Sequence, residues 1–265
     1  MNHVLEIRVI TGRAHHPLLK SLERIFPYAS VGKLEAVDHS LSTPELLLDR
    51  GLIGAPSYAS MKEGRRWHHE VARGGAIGLA ESVRLALSLN PEVPLLLLED
   101  DCVIKRGSAL KERVESLLFF KDNFEMAVFG GYVGDRRGKS KEYIGWGEGV
   151  VGTYENIRSP FWFMHCVLYT PKGRRVVGGL IRPPLDMQID SFLGYMAQLG
   201  KLRILCETGR SVVYQSKHFS SVQENKTCIF CSNVGTIRGL IGCTKVVLVL
   251  QILVFVYFFA SHKKK

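Results

Sequence analysis

Leu95-Leu96-Leu97-Leu98-Glu99-Asp100-Asp101-Cys102-Val103-Ile104 is an apolar run that ends in three consecutive carboxylates. Four leucines in a row, with no polar alternation, predict a strand buried on both faces, in the middle of a sheet covered by helices. Acidic residues at its carboxyl end stand where open α/β sheets place their ligands. Three adjacent like charges repel one another. Two arrangements relieve that repulsion: a divalent cation held by carboxylate oxygens with phosphate as a further ligand, or solvation of the acidic turn.

Toward the N-terminus, Val4 to Ile10 predicts a first strand. His15 to Phe26 predicts a helix with Pro17 in its first turn and Leu18, Leu19, Leu22 and Ile25 at helical spacing. Lys33 to Asp38 predicts a second strand ending in a carboxylate, and Pro44 to Asp49 a short helix. Gly51, Gly54 and Pro56 then predict an irregular excursion as far as Met61. Ala72 to Leu89 predicts a helix entered through Gly74-Gly75, with Ile77, Ala80, Val83 and Leu87 on its apolar face.

Toward the C-terminus, Ala109 to Phe120 predicts a helix, and Glu125 to Phe129 a buried strand closed by Gly130-Gly131-Tyr132. Arg136 to Trp146 predicts a basic surface loop and Phe161 to Tyr169 a single apolar strand. Lys172 to Val177 starts a helix, and Asp186 to Ala197 forms another after Arg182-Pro183-Pro184. Arg203 to Cys206 and Ser211 to Tyr214 predict short strands. The order is that of one mixed α/β domain with a mixed central sheet.

A length of 265 residues with 46% hydrophobic content suffices for a buried core. Part of that content is concentrated from Ile241 to Ala260, followed by Ser261, His262 and Lys263 to Lys265. The run is long enough to cross a thinner bilayer as a helix, and the terminal lysines suit a membrane boundary. A terminal strand or a buried core helix is the alternative. Glu6 and Arg8 within the first apolar run predict a strand rather than a secretory leader. The expected organisation is a soluble domain over 1–221, a membrane-proximal linker over 222–240, a single-pass transmembrane helix over 241–260 and a basic tail over 261–265. Insertion by the tail alone leaves the domain in the cytosol, although the terminal lysines oppose that orientation under the positive-inside tendency.

The formal net charge of +10 comes partly from scattered basic pairs, Arg65-Arg66, Arg136-Arg137 and Arg174-Arg175. No helix-long stripe with interleaved aromatics appears, which argues against a nucleic-acid partner. The excess suits a nucleotide diphosphate, an anionic glycan or acidic lipid headgroups equally well. Cysteines at 102, 166, 206, 228, 231 and 243 form no dense framework of the secreted type. Cys228-Ile229-Phe230-Cys231 has no second pair beside it to complete a zinc site. Asn225-Lys226-Thr227 is a glycosylation sequon that matters only in a luminal domain. Gly74-Gly75-Ala76-Ile77-Gly78 follows a polar stretch rather than a strand and so fails as a dinucleotide fingerprint, and no phosphate-binding loop or Gly-x-Ser-x-Gly is present.

Several segments together resemble the family 25 glycosyltransferases, which include lipopolysaccharide and collagen galactosyltransferases. They are Arg13 with the Leu18 to Phe26 helix, Leu34-Glu35-Ala36-Val37-Asp38, Gly75 to Ser82, Leu97-Leu98-Glu99-Asp100-Asp101, Tyr169-Thr170-Pro171-Lys172-Gly173 and Pro184-Leu185-Asp186. The resemblance covers about 200 residues, from the first strand to roughly Ser221. Departures from the pattern are Leu79 for cysteine, Glu81 for leucine, Val83 for histidine and His39 for glycine.

The resemblance implies a GT-A-like α/β fold and an inverting transfer of a hexose, galactose or glucose, from a UDP-sugar to a glycan or hydroxylated protein acceptor. Manganese, or magnesium, is the implied cofactor. Glu99 and Asp101 take the outer positions of an Asp-x-Asp-like motif and are the expected metal ligands, with Asp100 between them. Arg13, Asp38, Gly78, Ser82 and Asp100 are the expected donor-binding positions. Asp186 and Asp190, four apart behind the Pro-Pro turn, are the candidates for the base that deprotonates the acceptor. Asp186 is the one that matches the family motif, and a sugar-binding or metal-side role for it stays open. His165 and His218 are further candidates for contact with phosphate or metal, and Trp146 and Trp162 for stacking on sugar or base, against the commoner readings of a packed or solvated histidine and of a core tryptophan in a run such as Phe161-Trp162-Phe163. A catalytically degenerate membrane-anchored binding protein and a nucleotide or phosphate-ester hydrolase are the rival readings.

Overall fold

The leucine run forms the strand it predicts. Leu95–Glu99 is fully extended, and Leu95, Leu96, Leu97 and Leu98 are all buried. Each buried leucine contributes about 1.5–3 kcal/mol through removal from water. The computed structural model describes residues 4–39, 42–62, 75–130, 132–133, 140–143, 153–157, 161–162, 164–207 and 211–216. The chain divides into two units, Met1–Gln223 and Glu224–Lys265, and every described residue belongs to the first.

In chain order the strands are β1 (Glu6–Thr11), β2 (Ser30–Glu35), β3 (Leu95–Glu99), β4 (Cys102–Ile104), β5 (Met126–Val128), β6 (Tyr132–Val133), β7 (Ser140–Tyr143), β8 (Thr153–Ile157), β9 (Phe161–Trp162), β10 (Cys166–Tyr169), β11 (Ile204–Glu207) and β12 (Val213–Gln215). The helices are α1 (Pro17–Ile25), α2 (Pro44–Asp49), α3 (Ala55–Lys62), α4 (Gly75–Leu89), α5 (Gly107–Phe119), α6 (Pro171–Leu180) and α7 (Ile189–Gln198).

Eight strands make one mixed sheet in the order β2-β1-β3-β10-β5-β11-β8-β7. β1 is parallel to both β2 and β3, β10 runs antiparallel between β3 and β5, and β11 is parallel to β5. The carboxyl ends of β1, β2, β3, β5 and β11 therefore share one edge with the amino end of β10. Two small ribbons, β4 with β12 and β6 with β9, complete the pairing among the described residues.

Alternation along β3 divides the core. Leu95 and Leu97 pack with Ala80, Val83, Ala86 and Leu87 of α4, Val177 of α6 and Leu193 of α7. Leu96 and Leu98 face the other way, onto Leu18 and Leu22 of α1 and Leu110, Val114 and Leu117 of α5. Burial on both faces is what makes the strand an uninterrupted apolar run.

Local chemistry sets the helix starts. Thr43 Oγ1 accepts from Leu46 N–H at 3.2 Å and Pro44 opens α2, so the predicted bounds of that helix hold. Thr170 Oγ1 accepts from Gly173 N–H at 3.0 Å ahead of Pro171, starting α6. Gly173 is obligatory there, because a Cβ would lie 1.7 Å from the Glu125 carbonyl oxygen.

Several expectations are corrected. The excursion after Gly51 contains α3, whose entry is tied down by Asp186: Oδ1 accepts from Gly54 N–H at 2.8 Å and from the Ser57 hydroxyl at 2.5 Å. The same contacts, with Leu185 N–H donating to Leu52 O, keep Asp186 out of the helix predicted to begin there, and α7 starts only at Ile189. Asp186 and Asp190 thus do not share a helical face. The predicted Arg136 to Trp146 loop holds β7, an edge strand whose charged composition is what edges carry. The second strand is Ser30–Glu35 rather than 33–38, and the predicted strand from Phe161 to Tyr169 divides into β9 and β10.

The predicted linker, transmembrane segment and tail over 222–265 lie outside the described residues. So do Arg136, Arg137, Trp146, His218, the sequon, Cys228, Cys231, Cys243 and the side chain of Trp162. No helix among the described residues is long and apolar enough to cross a membrane.

Candidate functional site

The tip of β3 sits at the shared carboxyl edge of the sheet. Glu99 N–H donates to the His165 carbonyl at 3.0 Å, which locks the strand end onto the segment leading into β10. The two parities of the tip face different helices. Asp100 turns toward α1, where its Oδ2 accepts from the Thr11 hydroxyl at 3.2 Å. Glu99 continues the parity of Leu95 and Leu97 and comes under the charge of Asp190, in the first turn of α7.

Burial, with the charges of Asp101, Asp190 and Asp100 added to it, holds the Glu99 carboxyl well above the usual range. Asp101 is only 3% exposed. Burial pushes its carboxyl up to about 6, against a hydrogen bond from Gln215 and with a further push from Asp100. Gln215 Nε2 donates to Asp101 Oδ2 at 2.7 Å, and Ser216 N–H donates to the Asp101 carbonyl at 2.7 Å, so the β4–β12 ribbon fixes this side chain. The other oxygen, Oδ1, is buried with no hydrogen-bond partner among the described residues. A buried, orphaned carboxylate oxygen beside the Asp100 charge is a place where a hard cation would relieve both burial and repulsion.

A basic rim lies beside the acids. His16 caps α1 by accepting from Leu18 N–H at 3.3 Å through Nδ1, and its ring also hydrogen-bonds the Asp100 backbone. Burial lowers its pKa, Asp100 opposes that and Arg13 adds to it, so His16 stands near both Asp100 and Arg13. Arg13 is exposed, and its N–H donates to Thr11 Oγ1 at 3.1 Å. His165 lies at the amino end of β10, with its Nε2 2.7 Å from where a Cβ on Gly130 would be. Burial holds that ring neutral, with a pKa of about 4. Gly130 has φ of +69° and no room for a side chain, so the backbone passes close to the histidine there.

A second group of expected residues lies at the end of β2. A Cβ on Gly78 would stand 2.2 Å from the Val37 carbonyl oxygen, so the glycine lets α4 touch the chain just before Asp38. The Ser82 hydroxyl donates to Gly78 O at 2.7 Å and accepts from Val37 N–H at 2.9 Å. Gly78 and Ser82 hold the segment that carries Asp38, which is exposed. His39 Nε2 pairs with Glu81 Oε2. Both are departures from the family pattern, and they turn out to be partners.

The structure thus brings Asp100, Asp101 and Asp190 within reach of the Glu99 charge, and Arg13 within reach of His16. Asp38, on the segment after β2, lies against Gly78 and Ser82 of α4. Asp186 is engaged by Gly54 and Ser57 and is not among the charges that act on Glu99. Arg174 and Arg175 are occupied by Glu6 and Glu92, so that basic pair does not serve an anion. Sequence reasoning missed Thr11, His16 and Gln215. His16 carries a local signal, standing just before a helix that opens on proline. Gln215 carries none, because its partner is 114 positions away.

No family model matches the chain, and no curated protein matches it in sequence. Among solved structures it is similar to a UDP-glucose pyrophosphorylase complexed with UDP-glucose, at 10% identity and a TM-score of 0.41, over 79% of this chain and 92% of that one. It is also similar to a UTP-bound UGPase from Acinetobacter baumannii, at 10% identity and 0.38 over 80% and 89% of the chains. A third is a putative glucose-1-phosphate thymidylyltransferase from Bacillus anthracis in complex with a sucrose, at 11% and 0.35 over 80% and 89%. Likenesses this distant carry no argument about what the chain does.

Proposed function

We propose that the chain is a metal-dependent glycosyltransferase that moves a hexose from a UDP-sugar to a hydroxyl acceptor on a glycan or protein, as the family 25 resemblance implies. The observation that carries this reading is the orphaned Asp101 Oδ1 at the carboxyl edge of the sheet, beside a buried Glu99 that feels the charges of Asp101, Asp190 and Asp100. No three metal-binding side chains among the described residues are already disposed around one position. In this reading Asp101 and Glu99 would hold a manganese or magnesium ion, with the donor's own phosphate oxygens as further ligands. When bound, such an ion neutralises the charge that grows on the leaving diphosphate.

The protein's own groups supply the rest. Asp100, held by Thr11 and the His16 cap, fixes the turn that aims Glu99 and Asp101. Arg13, exposed near the His16 cap, meets the negative charge of the incoming diphosphate. Asp190 is the assigned base for the acceptor hydroxyl, because it reaches the acidic tip from α7 whereas Asp186 holds α3. Glu99 and Asp101, both raised by burial, would have to be deprotonated to hold the cation. The reading also takes the 241–260 run as a C-terminal anchor with the domain on the cytosolic side.

Calorimetry with manganese and UDP-hexoses, followed by mass spectrometry of products from a panel of donors and acceptors, tests it. Sugar transfer that requires both manganese and acceptor is the expected result. Donor binding without turnover would favour a degenerate binding protein, nucleotide release without transfer a hydrolase, and no manganese uptake would remove the reading.

A further inference from the structure

His39 sits 8% exposed at the end of the segment that follows β2, with a partner at each ring nitrogen. Nε2 pairs with Glu81 Oε2 on α4. Nδ1 lies 3.5 Å from Ser42 Oγ, and Ser42 is held there by its N–H donating to the His39 carbonyl at 2.9 Å. An ionised carboxylate only accepts, so Glu81 fixes the ring proton on Nε2 and leaves the lone pair on Nδ1. That lone pair faces the Ser42 hydroxyl. Hydroxyl, imidazole and carboxylate in sequence are the parts of an activated serine, and such contacts are long before substrate closes on them.

We propose that Ser42, His39 and Glu81 form a second chemical centre that cleaves neutral acyl esters, with Ser42 as nucleophile, His39 as base and Glu81 orienting the ring. The burial gradient suits the roles, because Ser42 is half-exposed while His39 is buried behind it. Glu81 selects the substrate class: its negative charge beside the ring repels a phosphate ester and leaves a neutral carbonyl unopposed. The three residues belong to the segment after β2 and to α4 rather than to the tip of β3, and their proposed chemistry does not depend on the transferase reading.

The step balances within these groups and water. Ser42 Oγ bonds to the acyl carbon as its proton passes to His39 Nδ1, and the alcohol leaves with that proton. Water then adds to the acyl carbon and gives a proton to Nδ1, and Ser42 Oγ departs and regains it. The net change is ester and water to acid and alcohol.

The test uses the full chain with p-nitrophenyl acetate and a fluorophosphonate probe, reading the site of attachment by peptide mass spectrometry. Expected are ester hydrolysis and a single adduct on Ser42, both lost in S42A. E81Q, which keeps the side-chain shape, slows labelling by about 100-fold. Circular dichroism establishes that each variant is folded. Absence of a Ser42 adduct on the folded wild type overturns the proposal. So does an E81Q labelling rate equal to wild type, which would leave His39 and Glu81 as a packing pair.

Discussion

Arg174 and Glu6 stand 168 positions apart and meet at 2.8 Å in the interior, with the arginine 1% exposed. The same guanidinium donates to the carbonyls of Ala86 at 2.8 Å, Leu87 at 3.2 Å and Val93 at 2.9 Å. It therefore joins the first strand of the sheet, the end of α4 and the turn into β3. R174A leaves these buried carbonyls unpaired and Glu6 with Arg8 alone, an arrangement that costs about 3–5 kcal/mol. Urea unfolding measures this directly. A loss under 1 kcal/mol would mean that the surrounding carbonyls find other donors.

The acidic tip makes the protein less stable as pH rises. Asp101 carries a raised carboxyl, about 6 in the folded chain against 3.8 for an unperturbed aspartate, so between these limits the folded state holds the proton that the unfolded state has released. Stability from this group is greatest below about 4 and falls as pH climbs through about 6, by on the order of 3 kcal/mol in total. Glu99, raised in the same direction, extends the fall upward. Other carboxylates respond to acid as well, so the quantity to measure is the difference between wild type and D101N. The variant should be the more stable at pH 7.5 and lose that advantage by pH 4, and a difference flat across the range would contradict the assignment.

That tip was readable in the chain because its two signals are local: a leucine run that only double-sided burial explains, and charges placed where such a strand ends. The bounds of α2 were equally readable, since Thr43 and Pro44 are a cap and a first-turn proline in succession. Helix α3 was hidden behind Gly54 and Pro56, because the group that ties down its start, Asp186, lies 132 positions further along. The same long-range contact misplaced Asp186 on α7. β7 carries edge-strand chemistry that resembles a loop, and the β4–β12 ribbon that aims Asp101 is set by pairing between distant short segments with little apolar pattern of their own.

Two glycines of α6 separate close packing from mere helix weakness. Gly173 faces the Glu125 carbonyl oxygen at 1.7 Å from its would-be Cβ, whereas nothing lies within 4 Å of Gly179. G173A must push backbone from backbone and should cost about 1–3 kcal/mol. G179A should instead stabilise by about 0.5–1 kcal/mol, the ordinary gain of alanine over glycine in a helix. Thermal melts of the two variants should move in opposite directions. Equal shifts would show that the α6 contact relaxes without cost.

Asp190 and Asp186 are distinguished by what each holds. Asp190 is in the first turn of α7, with its Oδ1 accepting from Ser191 N–H at 2.7 Å, and its charge reaches Glu99. D190N should depress kcat by about 100-fold or more with KM for the donor little changed, since a base acts on the acceptor proton rather than on the diphosphate. D186N weakens the acceptor for Gly54 and Ser57, and should lower stability by about 1 kcal/mol while leaving kcat within a few-fold. Measuring kcat, KM and Tm for both variants with a purified acceptor decides between them. The reverse pattern, with D186N slow and D190N active, would mean that the base works from the Pro-Pro turn and that Asp190 serves only to raise Glu99.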